Sequence, residues 1–224
     1  MKSHTETEEN YLKAVYSLLP EKSDAQGMVH TNAIAQHLGT SAASVTDMVK
    51  RLTKKGLLAY KPYHGVSLTE KGEKIALNIV RKHRLWEVFL VEKLQFSWDN
   101  VHEVAEQLEH IQSPELIRRL DSFLSFPKFD PHGDPIPSET GEIQKRETFR
   151  LADIQPDQSV TIVGVSTDET SFLQYLDKLG LTLGTKIQVT DRIPFDNSIQ
   201  IQKDDMQIVI SGNVAGCLAV MLEA

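Results

Sequence analysis

Residues 31–94 carry the most constraining pattern in the chain: two short amphipathic runs parted by a glycine, a hairpin signal, and one long helical run. Ile34, Ala35 and Leu38 recur at helical spacing after Thr31, and Gly39 ends that run. Thr40 or Ser41 can cap a second helix, in which Val45, Met48, Val49 and Leu52 repeat at intervals of three and four. Gly56 stops it after Lys54-Lys55, whose charges suit the negative end of a helix dipole. Leu57–Lys61 and Val66–Leu68 then flank Pro62-Tyr63-His64-Gly65, the chemistry of a β-hairpin. Thr69 caps a helix that runs to Leu94. Helix, turn, helix, hairpin and helix in this order predict a winged helix-turn-helix, preceded by an amphipathic helix over Glu8–Leu19 that Pro20 terminates.

The second helix of that motif has the surface of a DNA-reading element. Ser41, Ser44, Thr46 and Asp47 lie in its first turns and Lys50 and Arg51 farther along, which suits phosphate contacts and base edges. Lys61, Tyr63 and His64 fall at the wing tip. The chain carries a net charge of −7, so the distribution matters more than the sum. Residues 1–80 hold ten Lys/Arg against eight Asp/Glu, while residues 81–149 hold nine against thirteen and residues 150–224 five against ten. One basic island therefore sits at the front of an acidic protein, able to approach phosphate while the remainder resists indiscriminate binding. The blander reading is a three-helix bundle with a hairpin and incidental lysines.

The middle of the chain concentrates imidazoles and carboxylates. His83 and Glu87 are four residues apart and leave the same helical face. His102, Glu106, Glu109 and His110 follow at helical spacing on a second amphipathic run, Asn100–Ile111. Any one of these is more often a solvated or ordinary core residue, but two coherent stripes together predict a divalent-cation site. Imidazole and carboxylate without thiolate suit manganese, iron, cobalt, nickel or zinc. Ser113-Pro114-Glu115 opens another helix, which ends in a stretch containing Pro127, Pro131, Pro135 and Pro137. After Phe149 the pattern turns to short strands, Ser159–Val165, Lys186–Thr190, Ser198–Gln202 and Met206–Ile210, with one helix over Ser171–Leu179. That predicts a small β-barrel.

The expected class is thus mainly α with a C-terminal small β-barrel. Its parts are a winged helix-turn-helix DNA-binding domain over 1–74, a helical metal-binding and dimerisation domain over 75–140, and an SH3-like barrel over 150–224. Cys217 is the only cysteine, which excludes an intrachain disulfide and a thiolate cluster. The N-terminus lacks the apolar core of a signal peptide, and no stretch nears the roughly 18 apolar residues of a membrane span. A cytoplasmic protein without a membrane partner is expected.

Several segments resemble the diphtheria-toxin-repressor family of iron- and manganese-dependent regulators. They are Thr7-Glu8-Glu9-Asn10-Tyr11-Leu12, Ser44-Val45-Thr46-Asp47-Met48-Val49, Arg81-Lys82-His83-Arg84-Leu85, Val101-His102 through Glu109-His110, and His132-Gly133-Asp134-Pro135-Ile136-Pro137. The resemblance implies a homodimer on a double-stranded operator, a C-terminal domain of the FeoA or SH3-like type, and two metal sites. His83, Glu87 and His102 match the first, to which Glu169 would add a ligand from the C-terminal domain. Glu106, Glu109 and His110 match the second, with Asn10 reaching it from the first helix. Glu106 stands where iron-type members carry cysteine, which favours manganese over iron. Lys13 stands where some manganese sensors carry glutamate. The rival expectations are a winged-helix regulator of an organic ligand and a metallohydrolase. Against the latter, no general base is evident beside an open metal position.

Overall fold

The computed structural model describes residues 4–19 and 27–223. The predicted stop at Pro20, and the loop after it as far as residue 26, lie outside them. The chain divides into two compact units: Met1–His83 with Gln107–Pro114 and Pro137–Glu142, and Arg84–Glu106 with Glu115–Ile136 and Ile143–Ala224.

The first unit begins with α1 (Glu6–Ser17), which starts two residues earlier than its apolar pattern. Thr5 and Glu8 form a reciprocal capping box, satisfying two N–H groups that the helix start would otherwise leave orphaned. Next come α2 (Thr31–His37) and α3 (Ala42–Lys54). Ser41, not Thr40, caps α3: its hydroxyl accepts from the Ser44 N–H at 3.1 Å. The wing is β1 (Leu58–Lys61) paired antiparallel with β2 (Gly65–Leu68), Leu58 opposite Leu68. Tyr63 takes a positive φ of 67° at the tip. Val29 adds a bridge to Val66. The core under this motif comprises Tyr11, Leu12, Val15, Ile34, Val45, Val49 and Leu52, whose periodicity predicted the helices, with Leu57 and Val66 from the predicted hairpin. Thr69 caps α4 (Glu70–Leu94) by accepting from the Gly72 N–H at 3.1 Å. Gly72 must be glycine because a Cβ there would overlap the Leu57 carbonyl.

Farther along the chain, α5 (His102–Leu108) is shorter than its pattern, and α6 (Pro114–Phe123) follows the Ser-Pro-Glu start signal. In the second unit a six-stranded antiparallel sheet then forms from β3 (Phe149–Arg150), β4 (Ser159–Val165), β5 (Lys186–Ile193), β6 (Ser198–Lys203), β7 (Met206–Ile210) and β8 (Leu218–Leu222). Its order is β3-β8-β4-β5-β6-β7. The outer strands are β3, only two residues long, and β7, so among the described residues the sheet stays open rather than closing on itself. α7 (Thr170–Leu179) and α8 (Gly212–Gly216) complete the unit. Leu173 and Leu176 of α7 join Val160, Ile162, Val189, Ile201 and Val220 of the sheet in one core. Among the described residues no helix is long and apolar enough to cross a membrane.

Candidate metal centre and nucleic-acid interface

In the first unit, α3 buries Val45, Val49 and Leu52 and leaves Ser41, Ser44, Asp47, Lys50 and Arg51 exposed. The amphipathic spacing dictates this division, since core residues on one face turn the intervening polar ones outward. Ser41 Oγ lies 2.9 Å from Ser44 Oγ. Thr46, half-buried, donates its hydroxyl to the Ala42 carbonyl at 2.8 Å. Lys61 and His64 are exposed on the wing, and Tyr63 is wholly so. Arg51 differs from the others: its guanidinium is turned onto the buried Glu8 carboxylate of α1.

The same unit holds a buried charged cluster. Glu109, 1 % exposed, places Oε2 2.6 Å from His83 Nδ1 and 2.6 Å from Lys13 Nζ. Burial pushes its carboxyl up, but the His83 ring and the Lys13 charge outweigh that and hold it below the usual carboxylate range. His110 Nδ1 sits 2.7 Å from Glu9 Oε2, and Gln112 Nε2 donates to Glu9 Oε1 at 2.8 Å. Asn10 is exposed, whereas its neighbour Glu9 is buried and carries the α1 contact to His110. Sequence reasoning passed over Glu9, although an acid beside the expected ligand position is itself a signal.

In the second unit the cluster centres on Glu87, buried on α4. Its Oε1 is 3.5 Å from His102 Nδ1, and its Oε2 is 3.8 Å from His132 Nδ1. Donor atoms of Glu87, Asp130 and His132 all lie within 4.8 Å of one another, and all three residues are buried. Asp130 Oδ1 accepts from the N–H groups of His132 and Asp134 at 2.8 and 3.0 Å, folding the proline-flanked loop so that the His132 ring enters the cluster. His132 Nε2 lies 2.8 Å from the Trp98 carbonyl, which can only accept, so Nε2 carries a proton, and Nδ1 faces Glu87. Gly133, at φ +91°, allows this loop to pass against β4, where a Cβ would overlap the Val163 carbonyl. Asp130 and His132 were not among the predicted ligands, because a loop offers no periodicity to place them.

His102 also approaches Glu106 Oε1 at 3.4 Å and Asp168 Oδ2 at 3.5 Å. The expected contributor from the C-terminal domain was Glu169. That residue instead precedes α7, where its carboxylate accepts from the Ser171 hydroxyl at 2.6 Å, and Asp168 is the acid that faces His102. Hydrogen bonding to Glu106 and Glu87 raises the His102 imidazole to about 10 against the opposing effect of burial. Burial alone would lower His132, but Glu87, Asp130 and the Trp98 carbonyl bring it to about 9. Burial, with Glu87 and Asp134 nearby, pushes the Asp130 carboxyl up, opposed by Arg84 and His132. The carboxylates of Glu87 and Asp130 and the His132 imidazole, buried within reach of one another and with that imidazole oriented by a backbone carbonyl, fit a divalent cation of borderline or hard character.

A winged helix-turn-helix joined to buried His/carboxylate clusters defines a metal-dependent DNA-binding regulator. Residues 3–66 match the iron dependent repressor N-terminal DNA binding domain, residues 69–138 the iron dependent repressor metal binding and dimerisation domain, and residues 149–222 the FeoA domain. The diphtheria toxin repressor of Corynebacterium glutamicum is 30 % identical over 218 residues, covering 95 % of this chain and 91 % of that protein. The iron-dependent repressor IdeR of Mycobacterium tuberculosis is 36 % identical over 138 residues; these are 61 % of this chain and only 58 % of that relative's length. A solved manganese-dependent transcriptional repressor in complex with manganese superposes with a TM-score of 0.85 at 32 % identity, covering 96 % of this chain and all of that one. The chain belongs to the iron-dependent (diphtheria toxin) repressor family, whose members are metal-dependent transcriptional regulators.

Proposed function

We propose that this chain represses transcription as a homodimer, reading an operator through α3 and the β1–β2 wing when a divalent cation is bound. The observation that carries the reading is the buried donor set of Glu87, Asp130 and His132, with His102 beside Glu87. His83, one turn before Glu87 on α4, belongs with it as the stripe on that helix predicts. On the family pattern Glu106, Glu109 and His110 are the second proposed set, with Asn10; of the α1 residues, Glu9 is the one beside His110. Ser41, Ser44, Thr46, Asp47, Lys50, Lys61 and His64 are the proposed operator contacts. With no thiolate in either set, manganese is favoured over iron.

The chain supplies its own countercharges to these carboxylates: Lys13 on Glu109, Arg84 on Asp130, and the imidazolium of His132 on Glu87. A bound cation supplies positive charge that ties such side chains together. The two heads of a dimer, so held, set the spacing of two recognition helices for successive major grooves. The control is an affinity difference between a DNA-competent arrangement and a looser one. A gel-shift series on a candidate operator at fixed salt, with manganese, ferrous iron, zinc and chelator, tests this directly. Operator binding should need a divalent ion, manganese being the most effective, and Glu106→Ala combined with His110→Ala should abolish the stimulation. Equal binding in chelator would overturn the reading.

A further inference from the structure

Two adjacent carboxylates of α1 hold different parts of the first unit. Glu9 engages His110 and Gln112, as described above. Glu8 is 1 % exposed and binds the end of the recognition helix instead. Its Oε1 accepts from Arg51 Nε at 3.0 Å and lies 2.9 Å from Arg51 Nη2. Lys55 Nζ donates to Glu8 Oε1 at 2.6 Å and Oε2 at 2.8 Å. Arg51 and Lys55 are one helical turn apart, so both reach the same carboxylate from one face of α3. Charge-assisted contacts to a buried carboxylate are the strong kind, and here two cations share one anion. Burial opposes the charge on Glu8, yet Lys55, the Thr5 N–H and Arg51 hold its carboxyl below the usual range.

Such a clasp serves a purpose beyond cohesion. Operator-reading helices normally offer their cations to phosphate, whereas these two are retained by the protein. Consecutive helix residues point about 100° apart. A single turn of α1 can therefore hold α3 with one residue and His110 with the next. We propose that Glu8 is a positioning residue that sets the recognition helix against α1, so that the state of Glu9 and His110 is felt at the operator-reading face, and that Arg51 and Lys55 act through Glu8 rather than through phosphate. This inference rests on the metal-controlled operator binding proposed above.

The test compares the full-length wild type with Glu8→Gln and Lys55→Gln. For each protein, operator affinity is measured with manganese and with chelator across a salt series, and manganese binding is measured by calorimetry. Glu8→Gln should keep its manganese stoichiometry and affinity but lose about tenfold of the manganese-induced gain in operator affinity. Its salt dependence should steepen, by about 0.9 in the log–log slope for each cation released to phosphate. Lys55→Gln should weaken the gain while leaving the slope at the wild-type value. A full manganese gain in Glu8→Gln, or a slope flattened by about 0.9 in Lys55→Gln, overturns the proposal. Circular dichroism establishes that Glu8→Gln folds; if it does not, the slope of Lys55→Gln decides alone. A wild type that shows no manganese gain would defeat the metal reading, and the two salt slopes would still judge the clasp.

Discussion

The two buried clusters use the same side-chain types but balance their charge differently. In the first unit Glu109 is neutralised by Lys13, an ammonium tethered to α1, together with the His83 ring. In the second unit Glu87 faces two imidazoles, His102 and His132, both raised well above the ordinary histidine value. A tethered ammonium can leave only if a helix or side chain moves, whereas an imidazole proton leaves into solvent. The first arrangement therefore links charge balance to conformation, and the second links it to pH. A regulator that must report a cation by moving a DNA-reading helix benefits from the former, and the α1 contacts lie in the unit that carries that helix.

Removing the ammonium is the harshest way to break this contrast. Lys13→Met takes from the buried Glu109 carboxylate its direct ammonium partner, leaving the His83 ring at 2.6 Å and the more distant His110 ring at 3.9 Å, and should cost about 3 kcal/mol of stability in chelator. Urea denaturation measures it. A loss below about 0.5 kcal/mol, the range of an ordinary surface substitution, would mean that solvent already compensates Glu109. Next in size is Glu87→Gln, which takes the shared acceptor from the second cluster and should weaken manganese binding about 100-fold by calorimetry. Unchanged affinity there would remove Glu87 from the donor set.

The proton-balanced cluster should also reveal itself through pH. Cation binding needs neutral imidazole, and His132 stays protonated until about pH 9. Manganese affinity should therefore fall as pH drops, by about tenfold per unit for each imidazole proton displaced. The cation-free protein behaves oppositely. Since both folded imidazole values lie above the unfolded one, their stabilisation is fully present at acid pH below the unfolded value. It is lost as pH climbs through about 9 for His132 and about 10 for His102. Calorimetry in buffers of different ionisation enthalpy would count the released protons. A count of zero would sink the distinction between the clusters.

What could be read in advance follows the same physical line. Val45, Val49 and Leu52, with Gly39, Gly56 and Thr69 as punctuation, made α3, the wing and the start of α4 legible, because periodicity and turn chemistry act over a few residues. Glu87 and His102 were legible as helical stripes for the same reason. β8 was not: Leu218–Leu222 is five unbroken apolar residues, and its place between β3 and β4 comes from long-range pairing with a register shift between Ile162 and Gly164. Asp130 and His132 were equally hidden. Their approach to Glu87 depends on the Asp130 turn and on the Val165 N–H donating to the His132 carbonyl at 2.9 Å, neither of which leaves a pattern in sequence. The available hints were the alternation of acid and imidazole through Asp130, His132 and Asp134 and the likeness of His132 through Pro137 to the family.

The smallest effect separates neighbours that sequence alone could not tell apart. Family pattern pointed to Glu169, and the structure turns Asp168 toward His102 while Glu169 engages Ser171. The Asp168 side chain is 54 % exposed, so its influence on the imidazole is screened by water. Asp168→Asn should weaken manganese binding about fivefold, the scale of one exposed charge pair, and Glu169→Gln should leave it unchanged. Because the two variants remove the same charge one residue apart, long-range electrostatics would affect them alike. A loss in Asp168→Asn without one in Glu169→Gln therefore identifies the carboxylate that faces the ring. Equal effects would return Asp168 to the solvated surface and leave Glu87 and Glu106 as the carboxylates that hold His102.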